Sequence, residues 1–454
     1  MLANRLGKYS MSRGTSGILR AGTALGFIVV ATAQASAGAF AIREQSTIGQ
    51  GASFAGVAAG GAPSSTFWNP ATMTQMPGIQ SESTATGVFP YATHSPQAGS
   101  TFGILGGASN SGQAGLVPGS YFSYQFNPNL WLGVSVSAPF GLSVSFPDRW
   151  AGRNYAGDTT LETYNATPML AYRINDWISV GVGVQIQYAK ADLNNGLPTG
   201  LGQSFDIKGR GWGYGATAGV TLTPTPTTTI GLGWRSAINQ KIQGSLLLPG
   251  GPGFNAPFST PGSVETTLDL PDVVSLGIRQ RLDQNWTLLG TVEWSNWSRI
   301  GTSTINQLNG APATILAGLG GGPVTLPFKY DDGWFFSAGS EYRWNERLTL
   351  RSGIGYEISP ITDQVRTPRL PDNDRFWASV GASWEVWRGF SLDVAYSHLW
   401  VKDPNINISA ASGNPWFNGV TYIGDVSAHV DILSVGMRYR WDEAAPAKKV
   451  LITK

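Results

Sequence analysis

The sequence predicts an all-β protein, a transmembrane antiparallel β-barrel of about fourteen strands with an N-terminal hatch that plugs its lumen. Three observations lead to this prediction. Only 13% of the 454 residues are charged, which is too few for the surface of an ordinary soluble protein. Apolar residues alternate with small or polar ones along much of the chain. Short and long links between the alternating segments follow one another in strict order, which is typical of outer-membrane barrels.

Residues 1–37 have the pattern of a secretory signal peptide. Basic residues precede an apolar run at 21–33, and Ala35-Ser36-Ala37 forms a small-x-small cleavage site. The run is shorter than the roughly 20 residues that a spanning helix needs, which argues against the alternative of a transmembrane anchor. Both Met1 and Met11 are candidate start residues. The chain has no cysteine, which excludes disulfides and thiolate sites.

Residues 38–78 are the only long stretch after the signal peptide that does not alternate. This stretch begins with Gly38 and Phe40, continues through a Gly/Ala-rich run at 49–61 and ends near Asn69-Pro70-Ala71. Small residues permit close packing in a confined space, and Asn-Pro favours a turn. A disordered periplasmic linker is the alternative, which the aromatic residues of the stretch oppose. We therefore predict that 38–78 is a hatch inside the barrel.

Residues 79–441 are predicted to form the barrel wall. In the segment 177–190, the even positions from 178 to 188 are apolar and the odd positions from 179 to 189 are small or polar, which is the period of a β-strand with two different faces. A secreted sandwich or propeller also alternates, so the lengths of the links decide between these folds. The short links lie at 127–129, 175–176, 224–226, 283–285, 345–346 and 387–389, and the long ones near 92–115, 141–158, 190–208, 243–263, 298–328, 358–373 and 401–425.

Tryptophans flank the predicted short turns, where an amphipathic ring can sit at the depth of the lipid headgroups. These residues are Trp131, Trp177, Trp286 and Trp344. The last strand ends at Trp441, and we predict that 442–454 is a periplasmic tail.

Several motifs, in this order and spacing, resemble the outer-membrane long-chain fatty-acid transporter family, which includes channels for toluene and related aromatic hydrocarbons. They are Gly38-Ala39-Phe40, Asn69-Pro70-Ala71, Ala138-Pro139-Phe140-Gly141-Leu142, Trp150-Ala151-Gly152-Arg153, Leu268-Asp269-Leu270-Pro271-Asp272, Glu293-Trp294-Ser295-Asn296-Trp297, Ser359-Pro360 and Pro371-Asp372-Asn373-Asp374-Arg375-Phe376-Trp377. The resemblance implies a fourteen-stranded barrel with a hatch and passive transport of hydrophobic small molecules. It also implies capture by outer loops, movement of the hatch and lateral release beside an inward kink in the third strand.

Pro139, with Phe140 and Gly141, is the candidate for that kink. Proline cannot donate a hydrogen bond to a neighbouring strand, so Pro139 interrupts the ladder wherever it lies. The alternative is that Pro139 marks the outer end of the strand and begins a loop.

The resemblance also suggests a ligand site. The loops 190–208 and 243–263 would form the outer capture groove, where Leu193, Leu197, Leu201 and Phe205 have helix-like spacing and Leu246, Leu247 and Leu248 form an apolar cluster. Lys190 and Lys329 lie at positions similar to the basic residues that contact the ligand head in the family. The alternative for both is a surface lysine at the headgroup boundary.

Other function classes fit the sequence less well. His398 follows Ser397 and lies near Asp393, but alternation places the serine and the aspartate inside and the histidine outside, which breaks a catalytic triad. A general diffusion porin would need an open lumen. An aromatic-hydrocarbon channel of the same family stays open as an alternative.

We therefore predict an outer-membrane transporter of fatty acids or other apolar compounds, and not an enzyme. Its partners would be a hydrophobic small-molecule ligand and outer-membrane lipid, and it would be a monomer. The sequence predicts no cofactor and no metal. The formal net charge of +2 gives no reason to expect a nucleic-acid partner.

Overall fold

The computed structural model describes residues 38–196, 204–247, 264–308 and 324–441. The predicted signal peptide at 1–37 and the predicted tail at 442–454 lie outside these ranges. In the described part of the chain, no helix has the length and the apolar character that crossing a membrane requires.

Fourteen strands form a closed antiparallel barrel, which confirms the predicted fold class. Three of the strands are interrupted and consist of two segments each. The strands are β1 Ile79–Pro96, β2 Gly115–Asn127, β3 Leu130–Ser137 with Gly141–Val144, β4 Thr159–Arg173, β5 Ile178–Gly196, β6 Ser204–Thr225, β7 Thr228–Arg235 with Ile238–Leu247, β8 Val264–Leu270 with Val273–Arg281, β9 Trp286–Ser295, β10 Gly333–Arg343, β11 Leu348–Ile358, β12 Arg375–Trp387, β13 Phe390–Val401 and β14 Tyr422–Arg440.

The barrel closes through a long pairing between its first and last strands. β14 pairs with β1 from the pair Gln80 and Arg440 to the pair Pro96 and Gly424. Outside the barrel order, short strands lie at Ser303–Thr304, Asn306–Gln307, Thr325–Leu326 and Asn405–Ile408. Closure satisfies the backbone groups that a free sheet edge would expose.

The alternation predicted from the sequence separates the two faces of the wall. In β5, Val182 and Val184 are 56% and 54% exposed on the outside, whereas Gln185 and Gln187 are buried inside. Trp177, Trp286 and Trp344 are exposed near the short turns, as predicted. An apolar outer face with aromatic residues near its ends is the surface that a lipid bilayer requires.

Trp131 does not follow this prediction. It is fully buried, and its indole Nε1 donates a hydrogen bond to the carbonyl of Met76 at 2.7 Å. The alternation of faces along β3 explains the difference. Leu132 and Val134 are exposed on the outside, so Trp131 points inward. Trp131 closes the inner end of the hatch instead of anchoring the barrel in headgroups.

The segment 38–78 is packed inside the barrel before β1 begins. It contains a short helix, α1, at Thr47–Gln50 and 3-10 helices at Val57–Ala59, Pro63–Phe67 and Pro70–Gln75. Nearly all of its residues are buried. Two further 3-10 helices, Gly103–Leu105 and Trp297–Ile300, lie in long connections of the barrel.

Glycines of the wall leave room for the backbone of this segment. A Cβ atom at Gly231 would lie 1.8 Å from the carbonyl oxygen of Ala58, and one at Gly233 would lie 1.9 Å from that of Trp68. The same close approach to residues of 38–78 occurs at Gly181, Gly219, Gly277, Gly339, Gly353 and Gly381. The inward-facing small residues therefore receive the hatch, because any side chain at these positions would overlap it.

Two predicted long loops are shorter than expected. β5 continues to Gly196 and β6 starts at Ser204, so Leu193 and Phe205 lie in paired strands and not in a helix. Leu197 and Leu201 lie outside the described residues. Likewise, Leu246 and Leu247 are the last residues of β7, and the described chain resumes at Val264. Strand pairing extends the hairpins outward and overrides the apolar spacing.

Candidate functional site

The wall is interrupted at residues 138–140 of β3. The ladder between β2 and β3 ends at the pair Ser120 and Val136, and β3 resumes at Gly141–Val144 beside β4. The structure thus places Pro139 between two strand segments and not at the outer end of the strand.

The N-terminal segment supplies the hydrogen bonds that this interruption lacks. Ile42 N donates to Pro139 O at 2.8 Å, and Gly141 N donates to Phe40 O at 2.9 Å. Gln45 bonds both backbone groups of Ala138, donating to its carbonyl at 2.8 Å and accepting from its amide at 3.3 Å. The start of the hatch therefore pairs with the kinked backbone as a short strand would.

The neighbouring strand keeps one edge without a ladder. Residues 115–119 of β2 pair with β1, and the described residues of β3 provide no ladder partner on their other side. Pro118 lies in this stretch and lacks an amide hydrogen, as is usual for proline at the edge of a sheet. In place of a ladder, Val117 of β2 packs in one apolar cluster with Ile42 of the hatch and Ala138 of the kink.

Phe40 lies in an aromatic seat directly above the kink. Its ring centroid is 4.7 Å from that of Trp297 and 6.3 Å from those of Phe140 and Phe328, and the residue is 4% exposed. Tyr330 packs against Trp297 and Phe328. Edge-to-face contacts of this kind add to the free energy of apolar burial. The seat is an apolar site that the protein fills with its own N-terminal segment.

Charged contacts hold the same segment on the opposite side. Arg43 bonds Glu293 at 2.6 Å and lies 3.5 Å from Glu357, and Ala39 N donates to Asp372 Oδ2 at 2.9 Å. Arg375 in turn bonds Asp372. Glu293 and Glu357 of the wall therefore both face Arg43 of the hatch segment.

Asn69 fixes the other end of the hatch. Its Nδ2 donates to the carbonyls of Ala58 at 2.8 Å and Val220 at 3.0 Å, and its Oδ1 accepts from Ala71 N at 3.0 Å. Asn69 therefore caps the 3-10 helix that Pro70 begins and binds it to β6. Its position agrees with the predicted turn, and its contact with Gly219 of the wall was not foreseen.

An apolar cavity of about 80 Å³ lies outside the seat, toward the outer loops. Leu142, Val144, Leu370 and Val401 contribute to its wall, and the charged residues Arg369, Asp372 and Arg375 also line it. The Arg369 guanidinium donates to Thr159 Oγ1 at 3.0 Å and to Asn195 Oδ1, and it forms no ion pair with the described carboxylates. Burial lowers the pKa of Arg369 to about 10, so the group is charged at neutral pH.

The predicted ligand residues are dispersed. Leu246 packs with Val264 and Ile305 in an apolar cluster, Leu193 is half-buried in β5, and Leu247 lies opposite Asp206 at the end of β7. Lys190 is exposed in β5. Lys329 is exposed with φ +46°, and its amide donates to Gly301 O at 2.8 Å. Their roles in ligand binding stay predictions.

Trp297, Phe328 and Arg369 belong to the site, although the sequence predicts no role for them. Trp297 and Phe328 lie in connections that follow strands. Neither the strand period of two nor the helix period of 3.6 therefore indicates that they belong to one site. Arg369 lies in the connection between β11 and β12, more than 150 residues from its partner Asn195. Their assembly depends on how the outer connections fold over the barrel.

The family model described as "Outer membrane protein transport protein (OMPP1/FadL/TodX)" matches residues 28–441. The chain belongs to this family. The match spans the hatch and the whole described barrel, and it confirms the resemblance seen in the sequence motifs.

Two named relatives match most of the chain. The chain is 25% identical over 362 residues to the long-chain fatty acid transport protein of Escherichia coli (strain K12), covering 69% of this chain and 78% of that protein. It is 25% identical over 414 residues to outer membrane protein P1 of Haemophilus influenzae (strain ATCC 51907 / DSM 11121 / KW20 / Rd), covering 82% and 88%. As a member of the OMPP1/FadL/TodX family, the protein is an outer-membrane β-barrel.

Solved structures of the family have the same fold. A Pseudomonas aeruginosa FadL homologue superposes with a TM-score of 0.75 at 24% identity, covering 88% of this chain and 99% of that one. The Pseudomonas putida toluene transporter TodX gives a TM-score of 0.65 at 16% identity, covering 89% and 100%.

Glu44 is a buried carboxyl group in the hatch, and its titration makes the stability of the hatch depend on pH. The residue is 2% exposed, and its Oε2 has no hydrogen-bond partner. Burial raises the pKa of Glu44 to about 7 from an ordinary value of 4.5. Between pH 4.5 and about 7, Glu44 keeps its proton in the native state and loses it when the segment unfolds. The free energy of unfolding of the hatch therefore falls as the pH rises through this range.

Glu44→Gln should remove this loss of stability. At pH 8 the variant hatch should be more stable than the native one by up to about 3 kcal/mol, and the two should be nearly equal at pH 4. Hydrogen exchange of the hatch amides, corrected for the intrinsic effect of pH, measures the difference. An unchanged pH dependence in the variant would show that Glu44 does not titrate in this range.

Proposed function

We propose that this protein carries hydrophobic small molecules passively across the outer membrane and releases them sideways into the bilayer. The ligand is captured between the outer connections, replaces Phe40 in its aromatic seat and leaves through the gap between β2 and β3. Transport of hydrophobic compounds agrees with the names of the relatives, which are transporters of long-chain fatty acids and of toluene. The lateral route and the choice of ligand are our inference.

The observation that carries the proposal is the pairing of the hatch with the kink. Because Ile42 and Phe40 bond the backbone at Pro139 and Gly141, movement of the N-terminal segment frees the part of the wall that has no ladder to β2. The wall opens there without breaking a continuous β-ladder. The described ladder has a second gap, between the pairs Arg210–Gln243 and Thr217–Arg235 of β6 and β7. Where neighbouring strands are fully paired, sideways release would require the loss of several backbone hydrogen bonds, each costly to leave unsatisfied in lipid.

Physical chemistry favours this exit for an apolar solute. The hydrophobic effect opposes the passage of an apolar molecule through a watery pore, whereas transfer into the bilayer removes its surface from water. The segment 38–78 also fills the lumen, which opposes a general diffusion porin. A closed barrel has no free strand edge, so we propose a monomer.

The connections outside the seat supply the entry side. The cavity of about 80 Å³ has mostly apolar walls, and the charged residues Arg369, Asp372 and Arg375 also line it. An apolar tail fits such walls, and a guanidinium suits a carboxylate head. This arrangement favours a fatty acid over an uncharged hydrocarbon, while both remain within the proposed class of ligands.

The exchange Pro139→Val should slow uptake. Valine restores an amide hydrogen and favours strand pairing, so the kink should pair with β2 for more of the time. If the new pairing adds one or two hydrogen bonds worth about 1 kcal/mol each, the open population falls by roughly tenfold. Uptake of a radiolabelled apolar solute into vesicles that contain the protein measures the effect.

Pro168→Val in β4 is the matched control, because Pro168 lies in the adjacent strand opposite Val134 and away from the kink. Both variants should keep the gel mobility shift between folded and boiled barrel. Uptake that is equal for the two variants and the native protein would reject the lateral route. Rapid entry of small sugars into vesicles through the native protein would favour the porin.

A further inference from the structure

Arg235 is a buried cation without a carboxylate partner. It is the last residue before the interruption of β7 and is 7% exposed. Its Nη1 donates to Phe67 O at 3.0 Å, its Nη2 donates to Gln185 Oε1, and its guanidinium carbon lies 4.1 Å from the centroid of the Phe67 ring. No described carboxylate forms an ion pair with it. Its hydrogen bonds therefore reach only uncharged oxygens.

Several other arginines inside the barrel have carboxylate partners. Arg43 bonds Glu293, Arg279 and Arg351 share Glu341, and Arg438 bonds Asp393. A guanidinium stays charged in a protein, and a buried charge without a counter-ion is costly. The position therefore favours an anion that arrives with a ligand.

A cavity beside Arg235 offers room for such an anion. Its volume is about 60 Å³. Arg235 lines it together with the apolar residues Ile42, Trp68, Pro139 and Phe140 and with Arg43 and Glu293, which are paired with each other. One water molecule needs about 15 Å³ by the same kind of measure, so a carboxylate fits. The walls are apolar apart from a few polar groups, which weakens the competition of water for the guanidinium.

The cavity lies at the proposed exit. Pro139 and Phe140 belong to the kink, and Ile42 belongs to the hatch segment that bonds the kink. Phe140 also contacts Phe40 in the aromatic seat, so the cavity and the seat share one wall. A molecule that has displaced Phe40 therefore lies next to the cavity that Arg235 lines.

We propose that Arg235 is an inner head-group site, which binds the carboxylate of a monocarboxylic acid with an apolar tail while the tail enters the gap beside β3. The inference rests on the proposed function and adds a residue that selects ionised ligands. The planar guanidinium already donates to Phe67 and Gln185, and these bonds hold it in place for the carboxylate. Arg235 is a specificity residue and not a general requirement for apolar solutes.

The test compares two ligands that share a tail. Dodecanoate and methyl dodecanoate are titrated at pH 8 by calorimetry into detergent-solubilised native protein, Arg235→Met and Arg235→Lys. The methionine variant should bind dodecanoate roughly ten- to hundredfold more weakly, because it loses a charge-assisted contact, and should bind the ester as the native protein does. The lysine variant should recover part of the affinity for the acid.

Arg279→Met is the matched control. It also removes a guanidinium from the lumen, but Glu341 keeps Arg351 as its partner, so the affinity ratio of acid to ester should not change. The shift in gel mobility between folded and boiled protein verifies that each variant barrel is folded.

Three results would overturn the inference. If Arg235→Met lowers the affinities for the acid and the ester equally, Arg235 only holds Phe67 and the hatch in place. Unchanged binding of both ligands would mean that the carboxylate does not reach it. Native protein that binds neither ligand would reject the proposed function together with the inference, whereas failure of the lateral route in the Pro139→Val experiment leaves this binding test intact.

Discussion

Replacing Gly231 with alanine should displace the hatch and make the barrel permeable to small sugars. The new Cβ would lie 1.8 Å from the carbonyl oxygen of Ala58 and 2.4 Å from its carbon, and a backbone carbonyl cannot rotate away as a side chain can. The 3-10 helix Val57–Ala59 must then move by more than an ångström. Overpacking of this kind costs about 1–3 kcal/mol and weakens the adjoining hatch contacts as well.

Swelling of vesicles in an isotonic sugar solution measures the leak. Gly290→Ala is the matched control, because a Cβ there meets the tip of Ile278 at 3.2 Å and no other atom within 3.8 Å. We expect the control to be as tight as the native protein, with both variants folded as barrels. If Gly231→Ala is equally tight, the hatch does not depend on the contact with Gly231.

Phe40→Ala should increase the affinity for apolar ligands. In the native protein the Phe40 ring occupies the seat made by Trp297, Phe140 and Phe328, so a ligand that enters the seat must displace it. Truncation of a buried phenylalanine removes about 3–5 kcal/mol of packing. If half of that opposes the ligand, the apparent dissociation constant falls by roughly ten- to hundredfold.

Equilibrium dialysis with radiolabelled dodecane or dodecanoate measures this change. Phe54→Ala is the control, since Phe54 is a fully buried aromatic residue of the hatch that packs on Trp68 and Trp377, away from the seat. We expect little change of affinity in the control. Weaker binding in Phe40→Ala would show that the ligand does not compete with Phe40 and that the ring itself forms part of the ligand site.

The sequence could predict those parts of the site that depend on local features of the chain, and not those that depend on contacts between distant residues. Asn69 and Pro70 were recognisable because an Asn-Pro turn is local, and Pro139 was recognisable because a missing amide interrupts any strand. The sequence left open whether Pro139 ends β3 or kinks it. Only the return of the chain to β4 at Gly141–Val144 shows an interruption.

The apolar pattern at 190–208 shows the limit of local reasoning. Leu193, Leu197, Leu201 and Phe205 have helix-like spacing in a predicted loop, but the β5–β6 hairpin extends to Gly196 and Ser204. Each added residue pair satisfies the backbone hydrogen-bonding groups of two more residues. This gain outweighs the weak helical pattern of four apolar side chains. Similarly, Trp131 was assigned to the membrane interface by its distance from a turn, although the period of β3 places it inside.

By itself, the sequence determined the fold class, the faces of the wall and the presence of a segment that is not part of the wall. These properties follow from local regularities, since a period of two and the lengths of links are written along the chain. Only the tertiary structure decided that Phe40 fills an aromatic seat, that the hatch bonds the kink and that Arg235 forms no ion pair with a described carboxylate. Those contacts join residues that are far apart in sequence, and the pairing of a buried charge or ring depends on which neighbours the closed barrel brings to it.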